Sequence, residues 1–128
     1  MDVTRTRRSP LALLSLWVPP LALMGVIFAL SAQPDLNSGL GTLDTILRKL
    51  AHMAEYGLLT FLWWRALRAV LPGRAAVALA VAIAVAYAVS DEWHQSHVEG
   101  RHGSPVDVLI DSVGIAAVAL LLLLRPSR

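Results

Sequence analysis

The feature that most constrains this chain is a long run without charge. From Leu11 to Ala32 the sequence has 22 residues and no charged side chain. As a helix the run would be roughly 33 Å long, enough to cross a bilayer core of about 30 Å. Ala75 to Val89 and Val108 to Leu124 are two further apolar runs, and only 16% of all residues are charged. Because soluble domains carry roughly 25% charged residues, we expect an integral membrane protein.

A fourth helix is predicted between the first two apolar runs. The segment from Gln33 to Leu43 is rich in loop-forming residues, and Thr42 or Asp44 is expected to cap the helix that follows. That helix reaches Trp63 and Trp64, which are typical of the aromatic belt at a membrane interface. We therefore predict an all-α fold, an integral membrane bundle of four transmembrane helices in one domain over residues 1–128. The expected spans are roughly 11–32, 49–69, 75–93 and 106–124.

The first apolar run has an alternative interpretation as a cleaved signal peptide. A basic start, an apolar run and the small residues of the segment 29–32 fit that pattern. The apolar part of a signal peptide is usually about 7–15 residues long, however, and this run is longer. A transmembrane span is favoured.

The basic residues predict the orientation in the membrane. Eight of the eleven lie at alternate ends of the four spans and three at the opposite ends. Since cytoplasmic loops are enriched in lysine and arginine, both termini are predicted to be cytoplasmic in a multi-pass plasma-membrane protein. The eight residues are Arg5, Arg7, Arg8, Arg65, Arg68, Arg74, Arg125 and Arg128.

The acidic residues and histidines concentrate at the predicted outer face. The stretch from Ser90 to Asp111 holds five of the nine carboxylates and three of the four histidines. Polar residues share one face on each of three helices: Lys49, His52, Glu55 and Tyr56 on the second, Asp91, His94 and Gln95 on the third, and Asp107 and Asp111, on the same face as Gly114, on the fourth. Charges at that depth are costly unless they are paired or hydrated. We expect the three faces to meet in one outward-facing polar cluster.

Each candidate residue is assigned a role by its chemistry. His52, Glu55, Asp91 and His94 are the candidate catalytic residues, because a histidine beside a carboxylate transfers protons. Lys49, Tyr56, Gln95 and Arg101 are the candidate ligand-binding residues, with the two cations suited to an anionic head group. Simpler alternatives exist: Asp107 alone fits a helix-capping residue, and His52 with Glu55 fits a local pair at a helix mouth.

Charge balance suggests a cofactor. With neutral histidines, two cations face five acids, a net charge of about −3 in a partly dehydrated site. Glu92, Asp107 and Asp111 are therefore the predicted ligands of a divalent cation such as Mg²⁺ or Mn²⁺, which prefer oxygen ligands. A zinc site from His52, Glu55 and His94 is a weaker alternative, because no HExxH pattern is present.

Composition excludes other classes of function. The chain has no cysteine, so disulfides, thiolate catalysis and cysteine-ligated metals are excluded. No basic patch with interleaved aromatic residues indicates nucleic-acid binding.

Several short motifs together resemble the VanZ-like family of small membrane proteins. The resemblance rests on the blocks Phe28-Ala-Leu-Ser-Ala-Gln-Pro, Arg48-Lys-x-x-His-x-x-Glu-Tyr, Asp91-Glu-x-His-Gln, Gly100-Arg and Ser104-x-x-Asp-x-x-x-Asp-x-x-Gly. Glu99 and His97 depart from the pattern, which has a proline and an aromatic residue there. The resemblance implies a multispan membrane protein, linked in some members to glycopeptide resistance of the teicoplanin type, and supplies no reaction.

Three functions remain open from the sequence, and whether the chain is an enzyme is one of the open points. The first is action on, or binding of, a lipid-linked or anionic cell-envelope molecule. The second is a non-catalytic protein that binds or shields cell-wall precursors. The third and least supported is an ion or proton pathway, because the inner halves of the spans have few polar residues besides Thr60. The expected partners are the lipid bilayer and the envelope molecule.

The orientation can be tested with reporter fusions. Fusions after Asp35 and after Gly100 are expected to report an external location, and a fusion after Gly73 an internal one, because of the distribution of basic residues. An alkaline phosphatase reporter paired with green fluorescent protein distinguishes the two sides. An external signal from the fusion after Gly73 would contradict the four-span orientation.

Overall fold

The computed structural model describes residues 7–32, 41–98 and 105–126, which form four α-helices and no strand. The helices are α1 (Pro10–Ser31), α2 (Thr42–Leu67), α3 (Gly73–Gln95) and α4 (Pro105–Leu123). The predicted all-α fold is confirmed.

Helix starts follow local chemistry, and one predicted cap was wrong. Ser9 caps α1, where its Oγ accepts a hydrogen bond from the Ala12 N–H at 3.2 Å. Neither Thr42 nor Asp44 caps α2; the capping position is Gly41, with φ of 59° and no side-chain bond. Glycine tolerates this positive φ. The helix therefore begins at Thr42, whereas a cap at Thr42 would have made Leu43 its first residue. Asp44 instead lies in the first turn.

Three helices are long and apolar enough to cross a membrane: α1, α3 and α4, with 22, 23 and 19 residues. Large hydrophobic side chains on them are widely exposed, for example Leu121 at 67%. Such exposure suits contact with lipid chains. α2 is not among the three, since charged residues interrupt it from Asp44 to Glu55. Its passage through the membrane stays a prediction.

α2 is the central helix of the bundle. It packs against all three others, most extensively against α4, whereas α1 contacts only α2 and α3 within the described residues. A buried apolar cluster joins the four helices, and a second lies toward the end of α2. The first comprises Ile27, Tyr56, Leu59, Ala84, Ala88 and Ile115; the second comprises Trp64, Leu67, Ala76, Val77 and Ala80.

Two glycines allow α2 and α4 to approach closely. A Cβ atom added at Gly114 would overlap the Met53 backbone carbonyl, and one at Gly57 would lie 3.1 Å from Val118 Cγ2 and 3.3 Å from the Gly114 oxygen. Small residues at helix contacts permit such approach in membrane proteins. The contact brings the polar starts of the two helices side by side.

Alanines allow α3 to pack closely in the bundle, as the two glycines do for α2 and α4. Ala76, Ala80, Ala84 and Ala88 recur every four residues and are all at most 1% exposed. Asp91, seven residues after Ala84, and Gln95, seven after Ala88, lie on the same face. The face that packs α3 into the bundle thus carries these two polar side chains inward.

Replacing Gly114 with alanine is expected to destabilise the bundle. The new methyl group meets backbone rather than a flexible side chain, so the helices must separate, at a cost of about 1–3 kcal/mol. Thermal unfolding of the detergent-solubilised protein measures the loss. Gly25→Ala is the matched control, because a Cβ there meets nothing within 4 Å. Equal stability of the two variants would contradict the close contact.

Candidate functional site

Buried polar side chains cluster at one end of the bundle, where α1 and α3 end and α2 and α4 begin. Four of them are at most 7% exposed: Ser31, Asp91, Gln95 and Asp111. Buried polar groups are normally hydrogen-bonded, and most of these residues contact a partner on another helix.

Asp91 joins three helices through hydrogen bonds. The Tyr56 hydroxyl of α2 donates to Asp91 Oδ2 at 3.0 Å. The Gln95 amide donates to the same oxygen at 3.4 Å and to Ser31 Oγ of α1 at 3.2 Å. The other carboxylate oxygen, Asp91 Oδ1, is buried and has no hydrogen-bond partner among the described residues. One acceptor of a 5% exposed acid is therefore left for a further donor.

His52 lies between two carboxylates. Its Nδ1 is 3.9 Å from Glu55 Oε2, one turn along α2, and 3.7 Å from Asp111 Oδ1 on α4. Both distances exceed hydrogen-bonding range, and Nδ1 is buried without such a partner. Two acidic side chains from two helices thus lie close to the His52 ring without bonding to its Nδ1.

Lys49 and Asp107 form the more exposed rim of the cluster. Lys49 Nζ lies 3.6 Å from Asp107 Oδ1, and their side chains are 41% and 39% exposed. An ion pair that is this exposed contributes little stability. The ammonium group is consequently available to an incoming anion.

His94 faces α1 instead of the other titratable residues of the cluster. Its ring stacks on Phe28, with centroids 4.5 Å apart and planes inclined by 20°. His94 Nδ1 is buried and has no hydrogen-bond partner. Of the two candidate catalytic histidines, His52 is therefore the one with carboxylates nearby.

Negative charge exceeds positive charge in the described part of the cluster. The Asp111 carboxylate is close enough to Asp91, Asp107, Glu55 and Glu92 to be repelled by each of them. The cationic groups that face these acids are Lys49 and, when protonated, His52. An added cationic or hydrogen-bond-donating group would relieve the repulsion.

The predicted divalent-cation ligands do not form a metal site as placed. Within the described residues, no group of three or more histidine and acidic side chains is arranged to hold a metal ion. This covers the set Glu92, Asp107 and Asp111 and the zinc alternative. The metal assignment stays a prediction, and no chemical step is derived through it.

The structure brings together most of the residues that the sequence singled out. Arg101 lies outside the described residues. Sequence reasoning missed Ser31 and Phe28, which contact Gln95 and His94. The signal for Ser31 was a hydroxyl at the end of the first apolar run, level with the cluster. The residues that meet at this end are Lys49, His52, Glu55, Tyr56, Asp91, Gln95, Asp107 and Asp111.

Comparison with known proteins agrees with the motif resemblance. The model of the VanZ/LLP1 family matches residues 4–125, essentially the whole chain. Neither a curated protein nor a solved structure matches the chain significantly.

The hydrogen bond between Tyr56 and Asp91 is expected to stabilise the bundle. Tyr56→Phe leaves a buried carboxylate with one donor fewer, at a cost of about 1–3 kcal/mol. Asp91→Asn combined with Tyr56→Phe should cost less than the two single changes together, because they share one interaction. Unfolding of the four forms in detergent measures this coupling.

Ser112→Ala is the control, since its hydroxyl donates to the Val108 carbonyl of its own helix, α4, and not to another helix among the described residues. Its cost is expected to add to that of Tyr56→Phe. Strict additivity of Tyr56→Phe and Asp91→Asn would show that the two side chains are not coupled.

Proposed function

Since the chain belongs to the VanZ/LLP1 family of membrane proteins, we propose that its polar cluster binds the head group of a lipid-linked or anionic cell-envelope molecule. The observation that carries the proposal is the position of His52 between Glu55 and Asp111, with Lys49 at the exposed rim. A histidine between two carboxylates and an accessible cation thus lie on one face of α2.

The proposed location is the plasma membrane, with the cluster at the outer face and both termini in the cytoplasm. The basic residues support this orientation through the positive-inside rule. All described carboxylates lie near the ends of α1 and α3 or the starts of α2 and α4, which agrees with one membrane face. An envelope molecule carried on a lipid would reach the cluster from the outer leaflet.

Recognition of the anion is assigned to Lys49 and Arg101. Within the described part of the chain, the ion pair of Lys49 is with Asp107, an exposed pair at 3.6 Å that a phosphate would readily displace. Arg101 is proposed as the second cation, because a guanidinium group binds phosphate through two parallel hydrogen bonds. Asp91 Oδ1, buried and unpartnered, would accept a hydrogen bond from a ligand hydroxyl or amide.

His52 is the proposed proton-transfer group if a reaction takes place. Glu55 and Asp111 are the carboxylates closest to its Nδ1, and a histidine beside a carboxylate can transfer a proton. Glu55 and Asp91 are the proposed supporting acids. Tyr56 and Gln95 hold Asp91 in place, so their proposed role is to fix the geometry around the ligand.

A non-catalytic binding or shielding role is the second candidate. The specific observation in its favour is that Asp91, Tyr56, Gln95 and Ser31 are already tied to one another. Such a network holds these side chains together as a binding surface, and His52 lies outside it, between Glu55 and Asp111. An ion or proton pathway has less support, because the Thr60 hydroxyl, deeper in α2, is bonded to the Tyr56 carbonyl.

The binding proposal can be tested with a polyprenyl phosphate and the purified full-length protein in detergent. Lys49→Ala is expected to weaken binding about tenfold, because one charge-assisted contact is lost. Arg101→Ala should have an effect of similar size. Native mass spectrometry or microscale thermophoresis reports the dissociation constants.

Arg48→Ala is the matched control for Lys49→Ala. It removes the same charge at the next position of α2, where Arg48 Nη2 pairs with Asp44 at 3.1 Å. Binding is expected to be retained. Unchanged binding in Lys49→Ala and Arg101→Ala alike would contradict recognition of the head group by these cations.

His52→Gln separates the two candidate functions. Conversion of the bound phosphate compound should cease while its binding is kept, if His52 transfers protons. If wild-type protein binds the compound without converting it, the result supports the binding role and contradicts catalysis. The link to glycopeptide resistance is a separate proposal, tested by teicoplanin susceptibility of cells that express wild type or Asp91→Asn.

A further inference from the structure

A second concentration of charge lies at the opposite end of the bundle, where α2 and α4 end. The guanidinium carbon of Arg68 lies 4.8 Å from the ring centroid of Trp64, and that of Arg125 lies 5.4 Å from the same ring. Arg68 directly follows α2, and Arg125 stands two residues after α4. Two helices therefore each bring one guanidinium group to a single indole.

Trp64 is a fixed platform for these two groups. It is 8% exposed and belongs to the buried cluster with Leu67, Ala76 and Val77. A guanidinium group on an aromatic face uses its planar surface, and its N–H donors are not consumed by the contact. The stacking thus limits where the two arginines can lie while their hydrogen-bonding capacity remains.

No acid neutralises this pair within the described parts of the chain. Arg68 and Arg125 take part in no ion pair between described residues. The described acids all belong to the starts of α2 and α4, the Glu55 level of α2 and the last turns of α3. Like charges repel each other, so an anion that contacts both guanidinium groups would stabilise their arrangement.

The surroundings of the pair indicate what kind of anion fits. Leu120, Leu121 and Leu124 precede Arg125 and are 58%, 67% and 70% exposed. Side chains of this kind suit acyl chains, and arginines at the ends of membrane helices commonly reach toward the lipid phosphates. A ligand with an anionic head and apolar tails matches both features.

We propose that Arg68, Arg125 and Trp64 form a binding site for the phosphate of an anionic phospholipid at the membrane face where α2 and α4 end. The two guanidinium groups donate hydrogen bonds to the phosphate oxygens, and the lipid chains lie along the last turns of α4. The site is separate from the polar cluster and does not depend on the function proposed for it.

A simpler explanation is that the arginines only offset the partial negative charge at the ends of α2 and α4 and set the membrane orientation. That role requires positive charge but no preference among lipids. Lipid selectivity of the purified protein therefore distinguishes the two explanations.

The test uses the full-length protein in detergent, with phosphatidylglycerol and phosphatidylcholine of equal chain length added in equal amounts. Native mass spectrometry measures the ratio of bound lipids. Wild-type protein is expected to prefer phosphatidylglycerol, and Arg68→Gln with Arg125→Gln to reduce the preference about fivefold for each arginine. Arg74→Gln, which removes the same charge from the start of α3, is expected to keep it.

Two results would overturn the proposal: no preference in the wild-type protein, or an equal loss in Arg74→Gln, which would indicate a diffuse charge effect. Circular dichroism checks that the variants keep their helices. Should the double variant fail to fold, Arg125→Lys decides, since it keeps the charge but lacks the planar fork. A reduced preference supports a phosphate site, and a fully retained preference contradicts it.

Discussion

The close contact between α2 and α4 is the constraint on which the polar cluster depends. Gly57 and Gly114 let the two backbones meet where any larger residue at Gly114 would overlap Met53. Asp111 lies one turn before Gly114, and His52 lies just before Met53, so the contact sets the 3.7 Å between His52 and Asp111. Closer to the starts of the two helices, the contact is made by longer side chains. Lys49 meets Asp107 there, at the exposed rim of the cluster.

α3 completes the cluster through a face of buried alanines that continues into Asp91. Its buried alanines leave little room between helices, and Asp91 continues their face into the bundle. An acid at 5% exposure is unfavourable unless donors meet it. The Tyr56 hydroxyl and the Gln95 amide supply two of them, and Ser31 fixes the Gln95 amide in turn. The tight alanine packing and the hydrogen bonds at its end therefore depend on each other.

Sequence alone predicted the elements better than their contacts. Helical periodicity and long apolar runs were enough for four helices and for the polar faces of α2, α3 and α4. The stacking of Phe28 on His94 and the Ser31 bond to Gln95 depend on how α1 is rotated, and the run from Leu11 to Ala32 has no polar face to reveal it. The cap of α2 was missed because Gly41 acts through its backbone conformation.

The buried acids of the polar cluster argue against charge as a mere marker of orientation. Orientation in the membrane depends on basic residues on one side and requires no acidic residues. Exposed acids would serve solubility equally well. Yet Asp91 and Asp111 are buried, and each must be compensated by partners from other helices. A protein that only spans the membrane would be more stable with apolar residues at both positions. One buried oxygen of Asp91 keeps no hydrogen-bond partner among the described residues, and this is the position at which a ligand donor is proposed to bind.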